Sequence, residues 1–136
     1  MEQDSRKGSI VRIRTGRAAL GIVLTAAFMA GTAATAQAAS WDGSCNDSEV
    51  CMYRLTYKDG GIADTPNNNS NYVGFYFSSG YTLNDRTSSI QNNANFYDVT
   101  HWTDAGGYGY RLDTGTNTTR NSLNATYDNK FSSHYF

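Results

Sequence analysis

A six-residue block occurs twice in this chain. Residues 84–89 read Asn84-Asp85-Arg86-Thr87-Ser88-Ser89, and residues 128–133 read Asp128-Asn129-Lys130-Phe131-Ser132-Ser133. Each is a pair of Asx residues, two free positions and a pair of hydroxyl residues. The second copy starts 44 residues after the first (84 to 128). A recurrence at this spacing predicts two copies of one supersecondary unit rather than one irregular domain.

The segment ahead of the repeats has a different character. Lys7, Arg12, Arg14 and Arg17 precede an apolar run from Ala18 to Gly31, and Ala36-Gln37-Ala38 follows as a small-x-small cleavage signature. This pattern predicts a secretory signal peptide over 1–38, an extracellular destination, and no membrane attachment once the leader is removed. The apolar run is short for a spanning helix. The expected mature domain is 39–136, expected to be a monomer. It carries six Lys and Arg against ten Asp and Glu, a net charge of −4, where the whole chain has −1. An acidic domain excludes a nucleic-acid partner, because a phosphate backbone requires a basic face.

Both cysteines, Cys45 and Cys51, fall in the exported part and enclose five residues. In an oxidising compartment this pair is expected to form one disulfide, closing a short loop ahead of the first strand. A metal site on the cysteines is disfavoured, since there is no C-x-x-C pair or neighbouring histidine.

The rest of 39–136 reads as all-β. Strands are expected at Val50–Leu55, Tyr72–Phe77, Phe96–Trp102 and Tyr108–Leu112, where aromatic and β-branched residues concentrate or alternate. Turn clusters separate them at Lys58–Gly61, Pro66–Ser70, Asp104–Gly107 and Thr114–Asn117. About eight short strands in two repeats predict two Greek keys packed as a small sandwich, one over about 45–93 and the other over about 94–136. The tyrosines Tyr53, Tyr57, Tyr72, Tyr76, Tyr97, Tyr108 and Tyr110 are expected mostly in the core or on strand faces. His101 and His134 are expected as strand and terminal residues rather than ligands. No nucleophile elbow, phosphate loop or zinc signature is present, and the scattered carboxylates do not suggest a glycosidase, so the chain is not read as an enzyme.

Tyr53-Arg54-Leu55-Thr56-Tyr57-Lys58-Asp59-Gly60-Gly61 resembles the aromatic-then-glycine hairpin that opens a βγ-crystallin Greek key, and Trp102–Tyr108 resembles its second copy. The doubled block follows each hairpin, as in that superfamily. More narrowly, Cys45–Tyr53 and Asn84–Asn93 resemble the secreted actinobacterial peptidase inhibitors of crystallin fold, relatives of the Streptomyces metalloproteinase inhibitor. The resemblance implies a βγ-crystallin-like sandwich with calcium sites shared between the repeats. The implied ligands are Asn84, Asp85, the Arg86 carbonyl and Ser88 from one block, and Asp128, Asn129, the Lys130 carbonyl and Ser132 from the other. It also implies carbonyls near Arg54 and Thr103.

The chemistry of the blocks is consistent with that reading. Calcium takes carboxylate, amide, hydroxyl and carbonyl oxygens, and each block offers all four within six residues. Against it, Asx and Ser side chains also hold turns with no ion, and Arg86 and Lys130 put a cation in each block. Ser89 and Ser133 are expected only to tie the loop to the hairpin. Two functional classes follow. One is a secreted inhibitor of an extracellular peptidase, with Ile62–Tyr72 and Asp113–Asn121 as candidate loops. The other is a calcium-stabilised cell-surface module or secreted antimicrobial or toxin-like factor. The chain has no second cysteine pair to brace a reactive loop, which is a departure from the better-known inhibitor.

Overall fold

The computed structural model describes residues 39–136; the signal peptide expected over 1–38 lies outside the described residues. The strands are β1 (Val50–Tyr53), β2 (Ile62–Thr65), β3 (Ser89–Asn92), β4 (Val99–Asp104), β5 (Tyr108–Thr114), β6 (Thr118–Arg120) and β7 (Ser133–Tyr135). One 3-10 turn, Thr56–Lys58, sits between β1 and β2. All pairings are antiparallel and form two sheets, ordered β2-β1-β3-β6 and β5-β4-β7.

The two halves exchange their third strands. β6 follows β4 and β5 in the chain, yet it pairs with β3 in the sheet of the first half. In return Asn69, from the first half, bridges His134 of β7 through two backbone hydrogen bonds of 3.0 and 2.8 Å. This bridge occupies the eighth strand position. It is reduced to one residue because Pro66 lacks an N–H and the chain turns on either side, with Thr65 Oγ1 accepting from the Asn67 N–H and Asn69 Oδ1 from the Asn71 N–H.

The core lies between the sheets and contains Val50, Met52, Ala63, Tyr72, Phe77, Leu83, Ile90, Val99 and Phe131. Burying such side chains contributes about 1.5–3 kcal/mol each. All four residues of β1 are buried, although only Val50 and Met52 join that core. Cys51 lies on the alternate face of the strand and is joined to Cys45. The disulfide expected from the spacing is therefore present, and closing so short a loop contributes about 2 kcal/mol.

The first half folds less regularly than the sequence suggests. Tyr72–Phe77 is a chain of turns with a single bridge between Tyr76 and Thr82, not a strand. Gly74, at φ +88°, takes a left-handed conformation that turns the chain there. β1 ends at Tyr53, because Leu55 donates its N–H to the Asp59 carbonyl and turns the chain. β4 begins only at Val99, so Phe96 and Tyr97 belong to a loop. The expected alternation holds from there on, with Val99 and His101 buried and Thr100 and Trp102 partly exposed.

Most tyrosines lie outside the core. Tyr53 and Tyr72 are buried, whereas Tyr57, Tyr76, Tyr97, Tyr108 and Tyr110 are exposed. Period two shows that a strand alternates, but not whether the second sheet covers both ends of it. At β5 the covered part begins at Leu112. Gly109, at φ +81°, lies opposite the bulge between Trp102 and Asp104, where an added Cβ would collide with the Thr103 hydroxyl.

The last hydroxyl of each block locks a hairpin, as expected. Ser89 Oγ donates to the Leu55 carbonyl at 2.6 Å and accepts from the Lys58 N–H at 3.0 Å. Ser133 Oγ does the same with the Asp104 carbonyl (2.7 Å) and the Gly107 N–H (3.2 Å). Ser89→Ala would leave the Leu55 carbonyl and the Lys58 N–H without this partner. It should lower stability by about 1–2 kcal/mol, read as a lower urea midpoint with an unchanged slope.

Candidate metal centre

The two blocks face each other as reciprocal pairs. The Asp85 N–H donates to the Phe131 carbonyl at 3.0 Å, and the Asn129 N–H donates to the Thr87 carbonyl at 2.9 Å. These contacts are related by the 44-residue offset: 85 corresponds to 129, and 87 to 131. The side chains obey the same relation. Ser132 Oγ donates to Asp85 Oδ1 at 3.2 Å, and Ser88 Oγ donates to Asn129 Oδ1 at 3.4 Å. Each potential site therefore takes its second Asx from one block and its hydroxyl from the other.

The backbone makes this possible. Asp85 and Asn129 both adopt the left-handed conformation, at φ 56° and 55°. Asp and Asn tolerate that region better than other residues with a Cβ. The first Asx of each block orients the second. Asn84 Nδ2 donates to Asp85 Oδ2 at 2.7 Å, and Asn129 Nδ2 donates to Asp128 Oδ2 at 3.1 Å. Each contact engages one end of the second Asx and leaves Oδ1 facing the partner block.

The hairpins supply the neighbouring carbonyls. The Ser132 N–H donates to the Trp102 carbonyl, bringing Thr103 alongside Ser132. The Ser88 N–H donates to the Tyr53 carbonyl, bringing Arg54 alongside Ser88. Thr103 lines one open recess together with Asp85, Lys130, Asp104, Tyr110 and Thr126. The first oxygen set is thus Asp85 and Ser132 with the Thr103 and Lys130 carbonyls near them. The second is Asn129 and Ser88, with Arg54 alongside Ser88. Asn84 and Arg86 line a different recess, beside Val73 and Thr82.

The cations are drawn aside. Lys130 Nζ donates to the Ala125 carbonyl at 2.7 Å, and Arg86 Nε donates to Thr82 Oγ1 at 3.1 Å. Long side chains with partners elsewhere oppose a divalent ion less than point charges inside the block would.

The donor chemistry fits calcium. All donors are hard oxygens, and Asp128 keeps its Oδ1 buried with no hydrogen-bond partner among the described residues. No group of three or more His, Cys, Asp or Glu that could hold a metal occurs among the described residues, which disfavours zinc-type coordination. Each oxygen set holds at most one carboxylate facing across, so the sites suit weak binding in a calcium-rich medium. Asp104, Tyr110 and Thr126 border the first recess without having been expected there. Only the adjacency of Asp104 to Thr103 in the hairpin turn could have suggested one of them.

The two histidines sit apart from these oxygens, in the core. His101 and His134 are cross-strand partners with ring centroids 5.7 Å apart. His134 is bonded at both nitrogens, to the Tyr72 hydroxyl and to the Asn67 carbonyl, each at 2.8 Å. Both nitrogens of His101 are buried without a partner among the described residues. Burial holds His134 neutral down to about pH 4, and burial together with the neighbouring His134 and Arg120 pushes His101 well below the usual histidine range.

Comparison with solved structures bears on the fold. The chain is similar to a βγ-crystallin domain studied for the evolution of the eye-lens fold, with TM-score 0.57 and 19% identity over 68% of this chain and 87% of that one. It is similar to a βγ-crystallin from an archaeon (TM-score 0.51, 22% identity, 65% and 96% covered). It is also similar to a βγ-crystallin domain from Flavobacterium johnsoniae (TM-score 0.51, 23% identity, 65% and 91% covered). No family model and no curated protein matches the sequence. With the exchanged third strands and the doubled block, these likenesses define an all-β domain of the βγ-crystallin fold.

Proposed function

We propose that this chain is a secreted, calcium-stabilised βγ-crystallin module that binds calcium between its two Greek keys. One observation carries the reading: the second Asx and the first hydroxyl of the two blocks meet across the repeat boundary, in both directions, at 3.2 and 3.4 Å. Each second Asx is held by the first Asx of its own block and faces the hydroxyl of the other, which supports ligand sets drawn from both repeats. When bound, calcium would cross-link the two repeats through Asp85, Ser132, Asn129 and Ser88. The export signal expected over 1–38 and the disulfide inside the domain support an extracellular setting, where calcium is abundant.

Inhibition of an extracellular peptidase is the second reading. It is favoured by the disulfide-closed segment at Cys45–Cys51, the part of the chain that resembles the crystallin-fold inhibitors. The loops expected to carry it are only partly loops. Ile62–Thr65 is strand β2, and β5 and β6 take up most of Asp113–Asn121. The compact turn region after Tyr72, pinned by Phe77 N–H to the Tyr81 carbonyl and Ser78 N–H to the Ile62 carbonyl, is the better-braced exposed segment.

The deciding experiment is a thermal melt of the protein in excess calcium and in chelator. Calcium at about 100 times its dissociation constant adds about 2.7 kcal/mol, a rise of ten degrees or more for a domain of this size. An unchanged melting temperature would reduce the blocks to turns. A peptidase panel run in the same calcium buffer tests the second reading separately.

A further inference from the structure

The loop between β3 and β4 presents two large aromatic rings to solvent. Phe96 is 83% exposed and Tyr97 is 64% exposed. Neither belongs to a strand, and neither packs in the core. Adjacent solvent-facing rings form an apolar patch, the kind of surface that marks interaction sites.

The loop is held rigidly. Asn92, fully buried at the end of β3, donates its amide to the carbonyls of Tyr97 (2.9 Å), Thr114 (3.0 Å) and Gly115 (3.1 Å). Its Oδ1 accepts from the Ala94 N–H at 3.0 Å. Asp98 Oδ1 accepts from the Thr116 N–H at 3.0 Å, and the Asn117 amide donates to Asn95 Oδ1 at 3.1 Å. The rings are therefore displayed on a fixed frame, so ordering them on binding costs little.

The rings border an open recess with Phe136, Asn67, Asn68 and Asn95. Asn68 Oδ1 accepts from the Phe136 N–H, and Asn95 Oδ1 is taken by Asn117, so each of these two amides has its NH2 group left over. Asn67 donates its amide to Ser40 Oγ, which leaves its Oδ1 as an acceptor. The Tyr97 hydroxyl has no partner among the described residues. The recess thus combines flat apolar rings with neutral donors and acceptors, and no Lys, Arg, Asp or Glu lines it.

We infer that this recess binds a neutral glycan built of pyranose units. A pyranose has an apolar face of C–H groups that stacks on an aromatic ring, and a rim of hydroxyls that pairs with amides. A charged ligand would find no Lys, Arg, Asp or Glu side chain here, and a purely apolar one would leave the amides unpaired. The site shares no lining residue with the calcium-type recess, so it stands independently of that reading.

The test uses protein expressed from the full chain and three neutral oligosaccharides: β-1,4-glucose, β-1,3-glucose and N-acetylglucosamine oligomers. Binding is read by titration calorimetry and by retention on the matching insoluble polymers. At least one oligomer should bind, and Phe96→Ala and Tyr97→Ala should each weaken it about tenfold. Tyr76→Ala, an exposed ring on another loop, should leave it unchanged. Equal circular dichroism and melting temperatures for the variants would tie the loss to the recess rather than to folding. Absence of binding to all three oligomers, binding indifferent to residues 96 and 97, or equal weakening by Tyr76→Ala would overturn the inference.

Discussion

Asp85→Asn should weaken calcium binding more than any other single change in either block, and Asn129→Asp should strengthen it. The two oxygen sets are geometrically related but chemically unequal. The first faces a carboxylate toward Ser132, and the second faces a neutral amide toward Ser88. Calcium affinity follows the number of ligand charges, so the Asp85 set should dominate. Both substitutions keep a side chain that tolerates the left-handed backbone at these positions. Alanine would add strain there and confuse a folding loss with a binding loss. Calorimetry should show the tighter of two events weakened by about tenfold or more in Asp85→Asn. The weaker event should tighten by a similar factor in Asn129→Asp, with little change in the chelator melting temperature. Equal isotherms for parent and Asp85→Asn would remove Asp85 from the site.

Stability should fall steeply on mild acidification, through the two core histidines. Both have native pKa values below the ordinary histidine value of 6.5. Above that pH both states are neutral at these rings, and their contribution is complete. Below it the unfolded chain takes up protons that the native core refuses. Each histidine then costs about 1.4 kcal/mol per pH unit, until the native ring itself titrates, near pH 4 for His134. Together the pair should remove about 2 kcal/mol between pH 6 and 5. The charged group beside them is Arg120, which opposes protonation of His101; Tyr72 and Asn67 offer His134 only neutral contacts. Glu49 and Asp64 act in the opposite sense. Burial raises both carboxyls, so the native state gains protons first as the pH falls into the carboxylate range. The histidine effect is therefore cleanest above pH 5. His101→Phe removes one proton site and both unpartnered nitrogens, beside Phe131, whose ring lies 5.1 Å away. Urea midpoints at pH 7.5, 6 and 5 in chelator should show about half the parental slope. An unchanged slope would place the acid sensitivity elsewhere.

The sequence by itself determined the parts that depend on local chemistry. The doubled block, the hairpin glycines and the cysteine spacing each act over fewer than ten residues, and each appears where it was expected. The roles of Ser89 and Ser133 also appear as expected, although their bonds reach 34 and 29 residues back to the Leu55 and Asp104 carbonyls. Tertiary structure alone decided the rest. Which block completes which oxygen set depends on the exchange of β6 and Asn69 between sheets, a long-range pairing that leaves no local trace. Tyr108 and Tyr110 alternate like core residues, yet face solvent because the covering sheet does not reach them. His101 and His134 lie 33 positions apart in sequence and face each other only because β4 and β7 pair in register. Alternation tells a strand that it has two sides; only the packing of the second sheet determines which side, and how much of it, leaves water.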